Sequence, residues 1–309
     1  MPQIPAEGRL RLAWSRHWPV LLLFFLAIAF YWKLTLTDQF VWFDHPDMCY
    51  IEVPRLQFQA KEIQNRRFPL WDPYIWAGQP LIGQTQPGPL FPLNLLFCLV
   101  PRRGGYIQFA ALNWYYVVIH FLAAWCAFAL CRDWGRSTGA SALAGCLYGF
   151  GGFLGTVAWL DVMNGAIFTP LAFLYLFRAA RGVRTWRSAS LAGFWVGIAW
   201  LSGHHEVPLL VTAAFAATWV YLVLRERRLA PVALVSVLVM LLIGAAQGIP
   251  TYEFGKLSMR WVGGDQPVTW GDKIPYTVVA TYSLPFRGLL SFVLPGQDRP
   301  ADCSAYQGL

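Results

Sequence analysis

The run from Leu229 to Gly248, LAPVALVSVLVMLLIGAAQG, carries no charged residue in twenty positions. At roughly 1.5 Å of rise per residue, a helix of that length crosses the roughly 30 Å hydrocarbon core of a bilayer. Further apolar runs occupy residues 18 to 35, 107 to 130, 138 to 160, 163 to 178, 188 to 202 and 207 to 224. The sequence therefore predicts an all-α, polytopic integral membrane protein of about seven transmembrane helices. The run at 188 to 202 is short for a full crossing. The first run follows a basic tail with Arg9, Arg11 and Arg16, and it leads into the aromatic residues Tyr31, Trp32, Phe40, Trp42 and Phe43. No small-residue cleavage site follows it, so it reads as an uncleaved helix.

Composition agrees. Of 309 residues 57% are hydrophobic and 13% charged, mean hydropathy is +0.44, and there are 16 Trp, 22 Phe and 13 Tyr. A soluble domain needs more polar surface, and aromatic residues concentrate where a bilayer core meets water. The net charge of +8 is spread between apolar runs rather than gathered in one patch, which argues against nucleic acid as a partner. Instead Arg132 and Arg136, then Arg178, Arg181, Arg184 and Arg187, then Arg225, Arg227 and Arg228 fall on the same side as the basic tail. By the positive-inside rule that side, with the N-terminus, is cytoplasmic. Lys61, Arg66, Arg67, Arg102 and Arg103 lie on the opposite side, in a long translocated loop.

Two domains are expected: a transmembrane domain, residues 1–248, containing an extracytoplasmic loop at 37–106, and an extracytoplasmic segment, 249–309, that reads as leading into a further C-terminal part. In the loop, Leu56, Ala60 and Ile63 recur at helical spacing, as in a helix lying at the membrane interface. Leu90 to Val100 is apolar but too short to span, and is expected to dip into or rest on the outer leaflet. Gly145 and Gly149, and Gly151 and Gly155, have the spacing that lets helices approach closely. The cysteines at 49, 98, 126, 131, 146 and 303 form no metal-binding spacing. Four of them read as small packing residues, with a Cys49–Cys303 bridge left open.

Chemistry-bearing residues gather on the extracytoplasmic side. Asp44 and Asp47, followed by Glu52, suit proton transfer or ligation of a divalent cation, and equally a solvated helix end. His204, His205 and Glu206 form a turn between two helices, where such residues are costly unless they are paired or face a cavity. Neighbouring histidines point about 100° apart and are poorly placed to share a metal. Pro250 is expected to end the last helix, and Glu253, Lys256 and Arg260 would share a face of any continuation, as an ion-pair ladder or as an anion site. Asp161 and Asn164 sit at a helix end. Asn113 and His120 are explained by interhelical hydrogen bonds.

Asp47 with Pro54, the run Arg67-Phe68-Pro69-Leu70-Trp71-Asp72-Pro73-Tyr74, Gly78-Gln79-Pro80-Leu81 and Phe91-Pro92-Leu93-Asn94-Leu95-Leu96 together resemble the first-loop signature of YfhO-like bacterial membrane proteins. Trp159 to Pro170, Gly203-His204, Gln247 to Arg260 and Tyr306-Gln307-Gly308-Leu309 look similar too. That family is allied to the GT-C glycosyltransferases, which take a sugar from a polyprenyl-phosphate carrier, and its members are typically longer than this chain. The resemblance implies a multi-pass protein of the bacterial cell membrane. Its partners would be a polyprenyl-phosphate-linked sugar, an envelope polymer or glycolipid acceptor, and membrane lipids. Asp47 would be the catalytic base, with Asp44 as the alternative. His204, His205, Glu206, Glu253, Lys256, Arg260, Trp71 and Asp72 would contact substrate. A divalent cation is the one cofactor suggested, with no ligand set specified. Glu206 and Asp72 stand where glutamine and asparagine are commoner in the family. A transporter or flippase of a lipid-linked precursor, and a non-catalytic envelope assembly protein, are the competing expectations. The former predicts ionisable groups near the bilayer midplane.

Overall fold

The computed structural model describes residues 6–42, 46–75, 77–84, 86–155, 157–260, 267–276 and 280. Within them the chain is predominantly helical. Helix α1 (Ala6–Phe30) gives way at Tyr31 to the short α2 (Trp32–Leu36). The loop that follows holds α3 (Val53–Gln64), a hairpin of β1 (Trp71–Asp72) with β2 (Gln79–Pro80), and α4 (Pro92–Phe97). Then come α5 (Phe109–Asp133), α6 (Thr138–Phe150), α7 (Leu160–Ala166), α8 (Thr169–Ala180), α9 (Thr185–Trp200), α10 (Glu206–Arg225) and α11 (Ala230–Leu257). A second hairpin pairs β3 (Met259–Arg260) with β4 (Val268–Thr269).

Among the described residues four helical stretches, Phe109–Asp133, Leu160–Ala180, Glu206–Arg225 and Arg227–Leu257, are long and apolar enough to cross a membrane. Leu234, Leu238, Leu241 and Leu242 of α11 are exposed, Leu242 by 77%. A stripe of that kind is untenable in water and ordinary against lipid, so the chain is a helical membrane protein.

Two boundaries differ from the sequence reading. The run at 138 to 160 is helical only to Phe150, because Gly151 turns the backbone extended. The carbonyls freed beyond it are taken up by neighbouring side chains: Tyr31 donates to Gly155 O at 3.2 Å, Tyr116 to Val157 O at 2.9 Å, and a ring nitrogen of His120 faces Leu154 O at 2.8 Å. Non-helical backbone at depth survives only when it is satisfied in this way. Gly151 and Gly155 are therefore not a helix-packing pair, whereas a Cβ on Gly145 would stand 2.7 Å from Ala124 O of α5. The second correction concerns Pro250, which lies inside α11 and does not end it. Loss of one donor is tolerated when the flanking turns remain bonded. Leu90 to Val100 packs Phe91, Phe97 and Cys98 into the protein core and leaves Leu96 and Leu99 exposed.

The pairing of α9 on α11 rests on Gly193, where a Cβ would meet Ser236 O at 2.0 Å, and on the Ser236 hydroxyl donating to Ala189 O at 2.9 Å. One end of the bundle is basic. Asp133 at the end of α5 accepts from both Arg178 and Arg181 at the end of α8, so part of the arginine excess there is neutralised locally.

Candidate functional site

The opposite end is polar in a different way. Residues Met48–Glu52 wind as a π-helical turn that begins at Asp47 and runs straight into α3. Wider turns of this kind recur at functional sites because they redirect side chains. On α3, steps of about 100° bring Glu52, Arg55, Leu56 and Gln59 to one face. Arg55 is only 6% exposed. Its two terminal nitrogens reach three side-chain oxygens, donating to Glu52 at 3.2 Å, Gln84 at 2.8 Å and Gln86 at 3.5 Å. The segment bearing both glutamines is held from below by Gln247 of α11, which donates to Ile82 O at 2.6 Å and Gln84 O at 2.9 Å. Gln59 donates to Pro87 O at 3.0 Å.

The α9–α10 turn closes over the same segment. Gly203 has φ +101°, and a Cβ there would lie 2.3 Å from Gln86 O and 2.8 Å from Gly88 N. Gly88, at φ +50°, would in turn press a Cβ to 2.5 Å from Ser202 O. The two strips of backbone meet directly, and only glycine fits both the left-handed conformation and the gap. Asp161 enters from the first turn of α7, buried, accepting from Val162 N at 2.9 Å. Behind it Asn164 donates to Asn94 at 3.1 Å, and Tyr115 donates to the same oxygen at 2.6 Å.

Burial, and after it the negative charge of Asp161, push the Glu52 carboxyl from 4.5 up to about 8, against the pull of Arg55; Asp47 adds a smaller push the same way. The Glu52 side chain is 14% exposed. His204 lies beside Asp161. The cluster thus brings Asp47, Glu52 and Asp161 together with Arg55 and His204. Between Glu52, Gln59, Gln86, Asn94, Asp161, Asn164 and Ser202 lies a cavity of about 10 Å³, the space of one water. Arg55 Nε, Gln59 Oε1 and Asn164 Oδ1 are buried without a partner among the described residues. Such atoms are rarely left unbonded unless something else fills the site. No three of the described His, Cys, Asp and Glu residues come together as a metal-binding group.

The residues expected from sequence divide sharply. Asp47 and His204 belong to this cluster. His205 and Glu206 are exposed beside it: the His205 ring stacks on His204 with centroids 5.4 Å apart, and the Glu206 amide donates to His204 Nδ1 at 3.3 Å. Asp72 is 2% exposed and its carboxylate accepts from Tyr74 N at 3.0 Å, which fixes the turn between β1 and β2. Trp71 covers Gly78 of the same hairpin. Glu253 is exposed on α11, and Lys256 sits over the Tyr252 ring at 4.0 Å, so the described helix forms no ladder between them. Arg260 has left the helix for β3, which removes it from their face. Asp44 and Cys303 lie outside the described residues.

Arg55, Gln59, Gln84 and Gln86 escaped the sequence reading. The available signal was Glu52, Arg55 and Gln59 at helical spacing, and two glutamines flanking Thr85 in an otherwise apolar stretch. No protein-family model matches the chain, and no curated protein or solved structure is significantly similar to it.

Proposed function

We propose that the chain is a multi-pass glycosyltransferase of the bacterial cell membrane, crossing it about seven times with a cytoplasmic N-terminus. It would move a sugar from a polyprenyl-phosphate carrier to an envelope acceptor on the extracytoplasmic side. The observation that carries this reading is the pairing of an exposed carboxylate, Asp47, with the proton-retaining Glu52 beside Arg55 and His204. The reaction class follows from the resemblance of the loop to YfhO-like proteins, a family allied to the GT-C glycosyltransferases.

In this reading Asp47 takes the proton of an acceptor hydroxyl as its oxygen attacks the anomeric carbon. The bond from that carbon to the carrier phosphate breaks, the carrier leaves as an anion, and the configuration inverts. Glu52, protonated through the neutral range, donates a hydrogen bond to the substrate in place of acting as a second base. Arg55 supplies positive charge toward the departing phosphate, and His204, whose Nδ1 accepts from the Glu206 amide, offers its Nε2–H as a donor. Location at the bundle end, against the midplane position a transporter needs, favours transfer over transport. The test compares full-length wild type with Asp47→Asn in membrane vesicles, following labelled sugar from polyprenyl-phosphate carriers into envelope polymers. Loss of transfer at unchanged thermal stability supports the base assignment. Equal transfer in both removes Asp47 from the mechanism, and no transfer by either protein favours the transport and assembly readings.

A further inference from the structure

Helix α3 has a second functional face. Val53, Pro54, Gln57, Phe58 and Lys61 lie about half a turn from Glu52, Arg55 and Gln59, and they line a cleft of about 770 Å³ whose other wall is the segment Arg103 to Phe109. That volume falls within the roughly 300–1,000 Å³ range of small-molecule sites. Its walls are fixed by hydrogen bonds. Gln57 donates to Ile107 O at 2.9 Å and accepts from Ile107 N at 2.8 Å, while Arg103 and Tyr106 exchange backbone bonds of 2.9 and 3.2 Å.

The lining is amphipathic. Phe58, Tyr74, Tyr106, Ile107 and Phe109 make it apolar, Lys61 and Arg103 are its charged members, and none of the described lining residues is acidic. Nearby, Glu62 is bound by Arg67 through bonds of 2.7 and 3.0 Å, so it does not offset them. Tyr74, Tyr106 and Phe109 are largely exposed. In a membrane protein, aromatic residues beside lysine and arginine mark the headgroup level.

We propose that this cleft binds an anionic phospholipid of the surrounding leaflet, with the acyl chain against the aromatic wall and the phosphate between Lys61 and Arg103. A polyprenyl-phosphate substrate seated here would have α3 between its phosphate and the carboxylate cluster, which is why the occupant is assigned as a resident lipid. The assignment stands on the cleft and the membrane location, and it survives or fails independently of sugar transfer.

The experiment reconstitutes the full chain into vesicles of phosphatidylglycerol and phosphatidylcholine carrying a photoreactive probe of one lipid or the other, and maps crosslinked peptides by mass spectrometry. The phosphatidylglycerol probe is expected to label the stretches 53–61 and 103–109 in preference to the phosphatidylcholine probe. Lys61→Ala with Arg103→Ala should weaken that labelling roughly thirtyfold, about fivefold for each cation. Both side chains are exposed, so thermal stability should hold, and each single variant should fall between. Equal labelling by the two probes, labelling indifferent to the two substitutions, or displacement by polyprenyl phosphate at a lower concentration than by phosphatidylglycerol would each overturn the proposal.

Discussion

Replacing Glu52 by glutamine tests the electrostatics of the cluster in isolation from any reaction. The carboxyl is moved from 4.5 to about 8 by burial and by Asp161. A folded-state value raised above the unfolded one means that the native protein holds the proton more tightly. The resulting stabilisation is complete below pH 4.5 and is lost as pH rises toward 8. About 1.36 kcal/mol per unit over that interval gives a ceiling of about 5 kcal/mol. The small hydrated part of the side chain, 14% exposed, lowers the realised figure. The substituted amide has no proton to lose and would still accept from Arg55, so Glu52→Gln should sit within about 1 kcal/mol of wild type at pH 5. The assay is thermal unfolding of both proteins in the same detergent, from pH 5 to 9. The three units between pH 5 and 8 amount to about 4 kcal/mol, and at roughly 2 °C per kcal/mol for a chain of this size the wild type should lose up to about 8 °C more than Glu52→Gln across the range. Parallel curves would refute the reasoning, since they would mean that Glu52 is already ionised at pH 5.

Arg55→Met removes the donor shared by Glu52, Gln84 and Gln86; it should cost about 3 kcal/mol in thermal unfolding and move the pH transition of Glu52 further up, because Arg55 is the group that lowers it. Gly203→Ala must fit a Cβ 2.3 Å from Gln86 O at φ +101° and should cost about 2 kcal/mol or more. Gly139→Ala, on α6 with nothing within 4 Å, should be neutral or stabilising by up to about 1 kcal/mol in the same assay.

Every apolar run read from the sequence overlaps helical residues, because hydrophobic length is a local property that the bilayer rewards directly. Where that reading failed, tertiary contacts decided. Gly151 ends α6 early only because Tyr31, Tyr116 and His120 stand ready to satisfy the carbonyls beyond it, and nothing local to residues 150–157 announces those partners. The site was half legible for the same reason. Asp47 and His204 stand out as ionisable groups beside apolar runs. Arg55 carries no local signal of its role, because Gln84 and Gln86 reach it only through the folding of the loop. Asp72 misled in the opposite direction, as an acidic residue in a conspicuous motif whose carboxylate is spent on a turn.

The cluster also runs against what stability alone would select. A buried guanidinium beside buried carboxyl groups recovers little net free energy after desolvation, and apolar side chains of similar volume often do as well or better. Here the arrangement is less favourable still. The charge of Asp161 opposes ionisation of Glu52, and Arg55 Nε, Gln59 Oε1 and Asn164 Oδ1 are buried without described partners. Each such atom costs on the order of 1–3 kcal/mol relative to a bonded one. Five separate stretches of chain, around residues 47–59, 82–88, 161–164, 202–204 and 247, converge to hold this costly group in place, two of them through glycines that permit backbone contact. A purely structural junction would be met more cheaply by leucine and alanine, as the α5–α6 and α9–α11 contacts are met by small residues. Gln59 and Asn164 line a space for one water, and a hydroxyl donor placed there would give their unpaired oxygens the missing bonds. On that account, ligands with several hydroxyl groups should raise the unfolding temperature, and Gln59→Leu, which removes one of the waiting acceptors together with the bond to Pro87 O, should cost the empty protein about 1 kcal/mol and diminish that response.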